Sequence, residues 1–174
     1  FQVVSIATTT GFLTSNYSNW PLFVPILLLL TAFIGACAGS TGGGIKVIRT
    51  LILAKQSAGE ITKLIHPNAV ISIKLGKKAI SPRIAESVWG FFSIYVIVFI
   101  ILFMFLLAQG NDFITSFSAV GATLNNLGPG LGDVANNYQS LNDYSKIGLS
   151  IAMILGRLEI FTLLVLFTPA FWKK

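Results

Sequence analysis

The stretch that decides the fold is NDFITSFSAVGATLNNLGPGLG, residues Asn111 to Gly132. Asn111 and Asp112 are typical helix N-caps, and the apolar spacing after them predicts a helix of about a dozen residues. The Gly-Pro-Gly-Leu-Gly segment at Gly128–Gly132 then ends any helix. A helix this short cannot cross an apolar bilayer core of about 30 Å.

A short helix between two long apolar segments indicates a re-entrant pore loop. Irregular backbone is tolerated at membrane depth only when it is buried in protein or lines a wet cavity. In a pore loop, carbonyl groups that follow the half-helix replace the water shell of an ion. The same residues also fit an ordinary extracellular loop with a surface helix, and this stretch alone does not separate the two interpretations.

Composition places the chain in a membrane. It is 54% hydrophobic and 10% charged, whereas soluble domains carry about 25% charged residues. Three segments are long enough to cross: Leu22–Ile45, Val88–Ala108 and Ile147–Trp172, the last interrupted by Arg157 and Glu159. We therefore predict an all-α integral membrane protein with three transmembrane segments and one complete re-entrant pore loop.

The distribution of charge predicts the topology. Eight of the twelve Lys and Arg residues fall between Lys46 and Arg83, in the loop that joins the first two segments. The loop that joins the second and third segments carries three Asp residues against Lys146. By the positive-inside rule, loop 46–83 and the C-terminal Lys173 and Lys174 are cytoplasmic, and the pore loop opens to the outside. This asymmetry argues against a nucleic-acid partner despite the net charge of +6.

A second, incomplete pore loop opens the chain. Phe1–Phe12, FQVVSIATTTGF, fits the end of such a loop, cut off before its own half-helix, so we expect the chain to be a fragment. Placing Thr9-Thr10-Gly11 over Thr123-Leu124-Asn125 gives an offset of 114 residues. Two other matches, Asn16-Tyr17 with Asn137-Tyr138 and Gly35 with Gly156, give an offset of 121 residues. The difference between the two offsets predicts an insertion of seven residues after the second loop.

The first apolar segment contains a glycine-rich break. Gly39–Gly44 reads GSTGGG, and each Gly costs about 1 kcal/mol in a helix relative to Ala, so the helix should unwind there. Unwound backbone in a membrane must line a cavity or be packed in protein. Helix packing through small residues explains Gly35 and Gly39 but not three consecutive glycines, and the Gly-Lys-Ser/Thr ending of a phosphate loop is missing. We favour a flexible loop in the path of an ion.

The third segment carries Arg157, and a lone cation at the centre of a span costs about 2.5–3.5 kcal/mol. Such a cation faces the bundle interior or water. Glu159 lies two residues on, roughly on the opposite face. Arg157 is therefore either half of a structural ion pair with a segment outside this chain or a charge in the permeation path. The second segment, with aromatic residues on all sides, predicts a lipid-facing outer helix without a functional residue.

Four motifs in order carry a resemblance to a known family. They are SIATTTGF, AGSTGGGIK, AVGATLNNLGPGLG and LGRLE, which begin at Ser5, Ala38, Ala119 and Leu155. Together they resemble the C-terminal half of TrkH-type potassium transporter subunits of the Trk/Ktr/HKT superfamily. The resemblance implies a potassium-channel-like fold of four helix–pore-loop–helix repeats around one pore. Residues 1–83 would be the end of the third repeat and residues 84–174 the fourth.

The resemblance also implies functional residues. The selectivity filter, which binds potassium ions, would comprise Thr8, Thr9, Thr10, Gly11, Thr123, Leu124, Asn125 and Asn126. An intramembrane gate below it would comprise Gly39, Ser40, Thr41, Gly42, Gly43 and Gly44, with Arg157 beside it. Asn125 stands where other repeats have a filter glycine, which weakens the expectation of strict four-fold coordination and of strict potassium selectivity.

The implied function is potassium uptake across the bacterial cytoplasmic membrane, with no cofactor bound by this chain. The implied partners are a cytosolic nucleotide-binding regulatory subunit, the N-terminal half of the protein, a second copy in a homodimer, and membrane lipid. Two alternatives remain. Broken helices also build secondary transporters of other cations or solutes. An intramembrane enzyme would need His66 within hydrogen-bond reach of Ser40, yet His66 lies in the basic loop, so we do not expect an enzyme.

Overall fold

The computed structural model is mainly helical and describes residues 1–21, 23–37, 39–40, 42–69, 73–76, 78–158, 165 and 169–172. The helices within these residues are α1 (Gln2–Ala7), α2 (Phe23–Ile34), α3 (Val47–Ile65), α4 (Pro82–Ala108), α5 (Phe113–Leu124), α6 (Asp143–Arg157) and α7 (Pro169–Trp172). Tyr17–Asn19 and Gly132–Val134 form single 3₁₀ turns. The all-α prediction is wrong in one detail, because β1 (Lys74–Leu75) and β2 (Lys78–Ala79) pair antiparallel in the loop between α3 and α4.

Helix α4 is the clearest candidate for a membrane-spanning helix. Its 27 residues include the predicted Val88–Ala108 and extend it toward the N-terminus. The extension starts at Pro82, whose fixed φ and missing N–H suit the first turn of a helix. Within the described ranges, α4 is the one helix that is long and apolar enough to cross a membrane, while α2 and α5 are shorter apolar helices.

The predicted segment Leu22–Ile45 is not one continuous helix, because it unwinds as its glycines predict. Helix α2 ends at Ile34, and Gly35 follows with φ +74°. The chain then makes a loop of residues 35–46, which we call the glycine loop, before α3 begins. Two backbone hydrogen bonds close its base: Ile45 N–H donates to Phe33 O at 2.9 Å, and Val47 N–H donates to Ala36 O at 3.2 Å. Thr41, predicted as part of a gate, lies outside the described residues.

The loop between α2 and α4 holds a longer helix than its sequence pattern suggested. An amphipathic stretch is visible at 48–58, but α3 runs for 19 residues. It packs against the start of α4 through a small apolar cluster in which Ile52 meets Ala85 and Val88.

Helix α5 lies at the centre of the structure. As predicted, it is about a dozen residues long and capped by Asp112, whose Oδ2 accepts from Ile114 N–H at 3.1 Å. It is not a surface helix, because nearly all of its residues from Thr115 onward are buried. One buried hydroxyl, Ser118, accepts from Leu131 N–H at 2.8 Å and donates to Leu131 O at 3.1 Å. These bonds tie α5 to the Gly-Pro-Gly segment that follows it.

Two apolar clusters surround α5. On one side, Ala122 packs with α1, α2 and the first 3₁₀ turn, represented by Ile6, Leu29 and Tyr17. On the other side, α5 packs against α4 and α6 through Leu106, Ala119, Val120 and Leu149. Helix α5 is thus enclosed by α1, α2, α4, α6 and the first 3₁₀ turn.

The predicted third span is described only in part. Helix α6 ends at Arg157, with Leu158 as its C-cap. Residues 159–164 and 166–168 lie outside the described residues, as do Glu159 and the C-terminal Lys173 and Lys174.

Candidate functional site

Helices α1 and α5 end in the same backbone conformation. The C-cap of α1 is Thr8, with φ −85° and ψ 0°, and the C-cap of α5 is Asn125, with φ −88° and ψ −2°. The next residues, Thr9 and Asn126, have φ +55° and +56°. Because α1 is helical and comes directly before Thr8, the prediction that Phe1–Phe12 is cut off from a preceding helix is wrong.

The hydrogen bonds after the two helices agree residue by residue. Thr9 N–H donates to Ile6 O at 3.1 Å, and Asn126 N–H donates to Thr123 O at 3.0 Å. The members of each matched pair lie 117 residues apart. We call residues 8–11 the first turn and residues 125–128 the second turn.

This correspondence overturns the offset of 114 residues. That alignment matched threonine letters, whereas the backbone pairs Gly11, with φ +79°, with Gly128, with φ +101°. The second turn therefore has its glycine after all, and Asn125 takes the place of Thr8. The offset of 121 residues is confirmed at one of its two pairs, because Asn16 and Asn137 each accept from the N–H two residues later, at 3.0 and 3.1 Å. It is not confirmed at Gly35 and Gly156, because Gly35 follows α2 with φ +74° whereas Gly156 lies within α6. The insertion between 117 and 121 is thus four residues, not seven.

The two turns and the glycine loop are packed against one another. A Cβ placed on Gly11 would overlap the carbonyl oxygen of Leu127, so the two turns are in direct contact. A Cβ on Gly42 would lie 2.8 Å from Thr9 Oγ1, and one on Gly43 would overlap the carbonyl oxygen of Asn125. The structure thus brings the glycine loop against both turns.

The end of α6 completes this assembly. Gly156 comes so close to Leu124, the last residue of α5, that a Cβ would overlap its carbonyl oxygen. Arg157 follows, at the helix C-terminus, where a cation interacts favourably with the helix dipole. A cavity of about 260 Å³ opens between these elements, lined by Ser40, Gly42, Gly44, Lys46, Arg49, Phe91, Tyr95, Leu124, Gly156 and Arg157.

Three cationic side chains line this cavity, of which the sequence singled out only Arg157. Lys46 ends the glycine loop, and Arg49 lies one helical turn later, with its guanidinium 4.2 Å from the centre of the Phe91 ring. A monovalent cation 8 Å from one such charge meets a repulsion of about 2 kcal/mol at an effective dielectric constant of 20. Their position directly after the glycine run was the signal that could have found Lys46 and Arg49.

Three tyrosine hydroxyls donate hydrogen bonds to the second turn and to the segment that follows it. Tyr95 donates to Asn125 Oδ1 at 2.7 Å, and Tyr138 donates to Gly128 O at 2.6 Å. Tyr17 donates to Gly130 O at 3.2 Å. Burial raises the pKa of the Tyr138 hydroxyl, in the loop before α6, so it remains a donor at neutral pH. The sequence predicted no functional residue in α4, yet Tyr95 of α4 contacts Asn125, one of the predicted filter residues.

Comparison with known proteins gives the family. A family model described as TrkH, cation transport protein, matches residues 1–174. The Trk system potassium uptake protein TrkH of Escherichia coli K12 is 60% identical over 174 residues, and TrkG of the same strain is 44% identical. Each match covers the whole of this chain and 36% of the relative. The chain thus spans about a third of the length of these proteins.

A solved structure agrees. The crystal structure of the potassium transporter TrkH from Vibrio parahaemolyticus superposes with a TM-score of 0.91 at 56% identity, over 99% of this chain and 37% of that one. The names of these relatives describe potassium uptake and transport, which agrees with the transporter interpretation and not with an intramembrane enzyme that uses Ser40 and His66. The chain belongs to the TrkH family of cation transport proteins.

Proposed function

We propose that this chain forms the end of the third repeat and the whole fourth repeat of a potassium-conducting pore in the bacterial cytoplasmic membrane. Residues 1–83 would be the end of the third repeat, and residues 84–174 would be the fourth repeat. Helices α1 and α5 end in the same backbone conformation, which supports a structural repeat. The names of the relatives support potassium as the transported ion. The complete pore would need the rest of the protein, which these relatives carry beyond the matched part.

The selectivity filter, in this proposal, is built from the backbone of the two turns. Thr8–Gly11 keeps its predicted role, and its counterpart shifts from Thr123–Asn126 to Asn125–Gly128, because Thr123 and Leu124 form the last turn of α5. Carbonyl groups are the ligands that replace the hydration shell of potassium. With Gly128 at the position of Gly11, Asn125 is no longer a reason to expect weak potassium selectivity.

The gate is the glycine loop, and the observation that carries the proposal is its contact with both turns through Gly42 and Gly43. A segment in that position blocks the path of an ion that leaves the filter. The cations lining the cavity, Lys46, Arg49 and Arg157, raise the barrier further. Arg157 also offers five donors to the carbonyl groups that the unwound loop exposes.

The filter is tested by replacing Gly128 with Ala in the full-length protein. Gly128 has φ +101° and open space around its Cβ position, so alanine changes only the backbone preference. Holding alanine in such a conformation costs about 1–3 kcal/mol, which should turn the carbonyls of the second turn and admit sodium. We expect the potassium-to-sodium permeability ratio to fall several-fold.

Gly110→Ala is the matched control, because Gly110 also has a positive φ, +85°, and open space, but lies after α4 and away from the turns. Its permeability ratio should equal that of the unmodified protein. Equal ratios in both variants would contradict the filter assignment.

The orientation and the partners follow the same proposal. Loop 46–83 and the C-terminus face the cytoplasm, where the basic surface of the loop meets a nucleotide-binding regulatory subunit and anionic lipid. Nucleotide would bind to that subunit and not to this chain. A homodimer completes the assembly. Cysteines introduced singly at Lys63 and Asp133 test this orientation. A membrane-impermeant thiol reagent should reach the two positions from opposite sides of the membrane.

A secondary transporter remains the second candidate, because one observation favours it. Helix α2 ends at Ile34, part-way through the predicted first segment, as broken helices do in such transporters. Flux measured with and without a proton or sodium gradient separates the two, since a channel-like pore follows the potassium gradient alone.

A further inference from the structure

The feature that carries a further inference is the hydroxyl group of Tyr95. Tyr95 lies half-way along α4, is 4% exposed, and is surrounded by apolar side chains. A hydroxyl buried in such a place is unfavourable unless it finds a partner. Its partner is Asn125 Oδ1, at 2.7 Å, in a fully buried hydrogen bond between residues 30 positions apart.

Asn125 depends on this bond. Its side chain is 0% exposed, and its Nδ2 has no hydrogen-bond partner among the residues that the structure describes. The Tyr95 hydroxyl therefore fixes the orientation of the Asn125 side chain. The backbone of the same residue starts the second turn and contacts Gly43 of the glycine loop. Asn125 is thus the residue at which the outer helix, the second turn and the glycine loop meet.

The ring of Tyr95 is held in place on two sides. Phe33 of α2 meets it edge-on, with ring centroids 6.4 Å apart, and Phe91 lies one turn earlier on α4, at 6.1 Å. The guanidinium of Arg49 covers the Phe91 ring. A ring fixed in this way presents its hydroxyl to Asn125 without losing further conformational freedom on doing so.

We propose that Tyr95 is a positioning residue for ion selectivity: its hydroxyl anchors the second turn to α4 and keeps the turn in place when the glycine loop moves. This rests on the proposed function, in which Asn125–Gly128 lines the filter. Tyr95 itself does not touch the ion. Through Asn125 it sets where the carbonyl groups of the turn lie, and that position decides which cation they fit.

The test replaces Tyr95 with Phe in the full-length protein and measures the potassium-to-sodium permeability ratio in proteoliposomes. The substitution keeps the ring contacts and removes only the hydroxyl, which leaves the buried Oδ1 of Asn125 without its donor. Loss of the donor to a buried acceptor shifts a local equilibrium by about 5- to 150-fold, and we expect the ratio to fall within that range. Tyr144→Phe is the matched control, because Tyr144 is 67% exposed on α6, and its ratio should not change.

A double-mutant cycle with Asn125→Leu separates positioning from general packing. If the two side chains act as a pair, Tyr95→Phe combined with Asn125→Leu should have a ratio below that of the unmodified protein and about equal to that of the less selective single variant. Replacing both partners by apolar groups also removes the unpaired buried atoms, so the double variant reports the ratio even where the single Phe variant does not fold.

Two results overturn the proposal. One is a wild-type ratio in folded Tyr95→Phe protein or in the double variant, and the other is additive effects of the two substitutions. A lower folded yield with an unchanged ratio per inserted molecule makes Tyr95 merely structural. Gly128→Ala distinguishes failure of this proposal from failure of the filter assignment. If only the role of Tyr95 is wrong, Gly128→Ala still alters the permeability ratio; if the filter assignment is wrong, it does not.

Discussion

The contact between Gly43 and the second turn predicts the effect of a single methyl group. A Cβ added to Gly43 would lie 2.8 Å from the Cα of Asn125 and overlap its carbonyl oxygen, so Gly43→Ala cannot fit without a shift. The backbone of Gly43 lies outside the left-handed region, so the penalty is steric and not conformational. Overpacking of this kind costs about 1–3 kcal/mol.

In the proposed gate, that cost falls on one of the two states. It is present while the loop lies against Asn125 and absent once the loop has moved away, so the equilibrium between closed and open should shift by about 5- to 150-fold toward open. We expect potassium flux through the full-length protein to rise several-fold. The assay is potassium-dependent flux in proteoliposomes, normalised to correctly inserted protein.

Gly39→Ala provides the matched control for this experiment. It adds the same methyl group to the same loop, but nothing lies within 4 Å of its Cβ position, so flux should stay at the wild-type level. The reasoning is refuted if Gly43→Ala leaves the flux per inserted molecule unchanged or lower, or if Gly39→Ala raises it equally.

Two further predictions concern α6 and α5. Arg157→Ala removes a charge and five donors beside the glycine loop, so potassium flux per inserted molecule should rise. Arg157→Lys keeps the charge but loses the planar fork, so its flux should lie between those of the unmodified protein and Arg157→Ala. A fall in folded yield and flux together would instead indicate a structural ion pair. Asp112→Ala removes the cap bond to Ile114 and should lower the free energy of unfolding by about 1 kcal/mol, measured by thermal unfolding in detergent. Asn142→Ala, at an N-cap whose side chain makes no cap bond, should cost less, and an equal loss would contradict the capping argument.

The elements that could be predicted from the sequence are those with strong local signals. Asp112 and the glycine-proline run mark both ends of α5, and the long uncharged stretch of α4 leaves little choice but a span. The break after Ile34 follows from the low helix propensity of glycine. Each of these features is determined by residues that are close together in the sequence, so the sequence pattern is enough to predict it.

The correspondence between the two turns could not be read in the same way. It depends on backbone conformation, and Thr9 and Asn126 share a positive φ although their side chains differ. Matching Thr letters therefore placed the alignment three residues away from the structural one. Glycine at 11 and 128 was the better guide, since both adopt a conformation that favours glycine.

Tyr95 was missed for a different reason. Aromatic residues surround α4 on all sides, so one hydroxyl among many rings gives no periodic signal. Its significance depends on Asn125, which is distant in sequence and reaches it only in the folded structure. Lys46 and Arg49 directly follow the glycine run, which could have marked them as candidates, but their positions in the cavity depend on how the glycine loop turns back.

Helix α3 is held to α4 close to its loop end, where Ile52 packs against Ala85 and Val88 and Arg49 lies over Phe91. At 1.5 Å per residue, Ile52 is about 7.5 Å from Val47, where the glycine loop ends, and about 20 Å from Ile65. The contact with α4 therefore restrains the end of α3 that joins the glycine loop more closely than the opposite end.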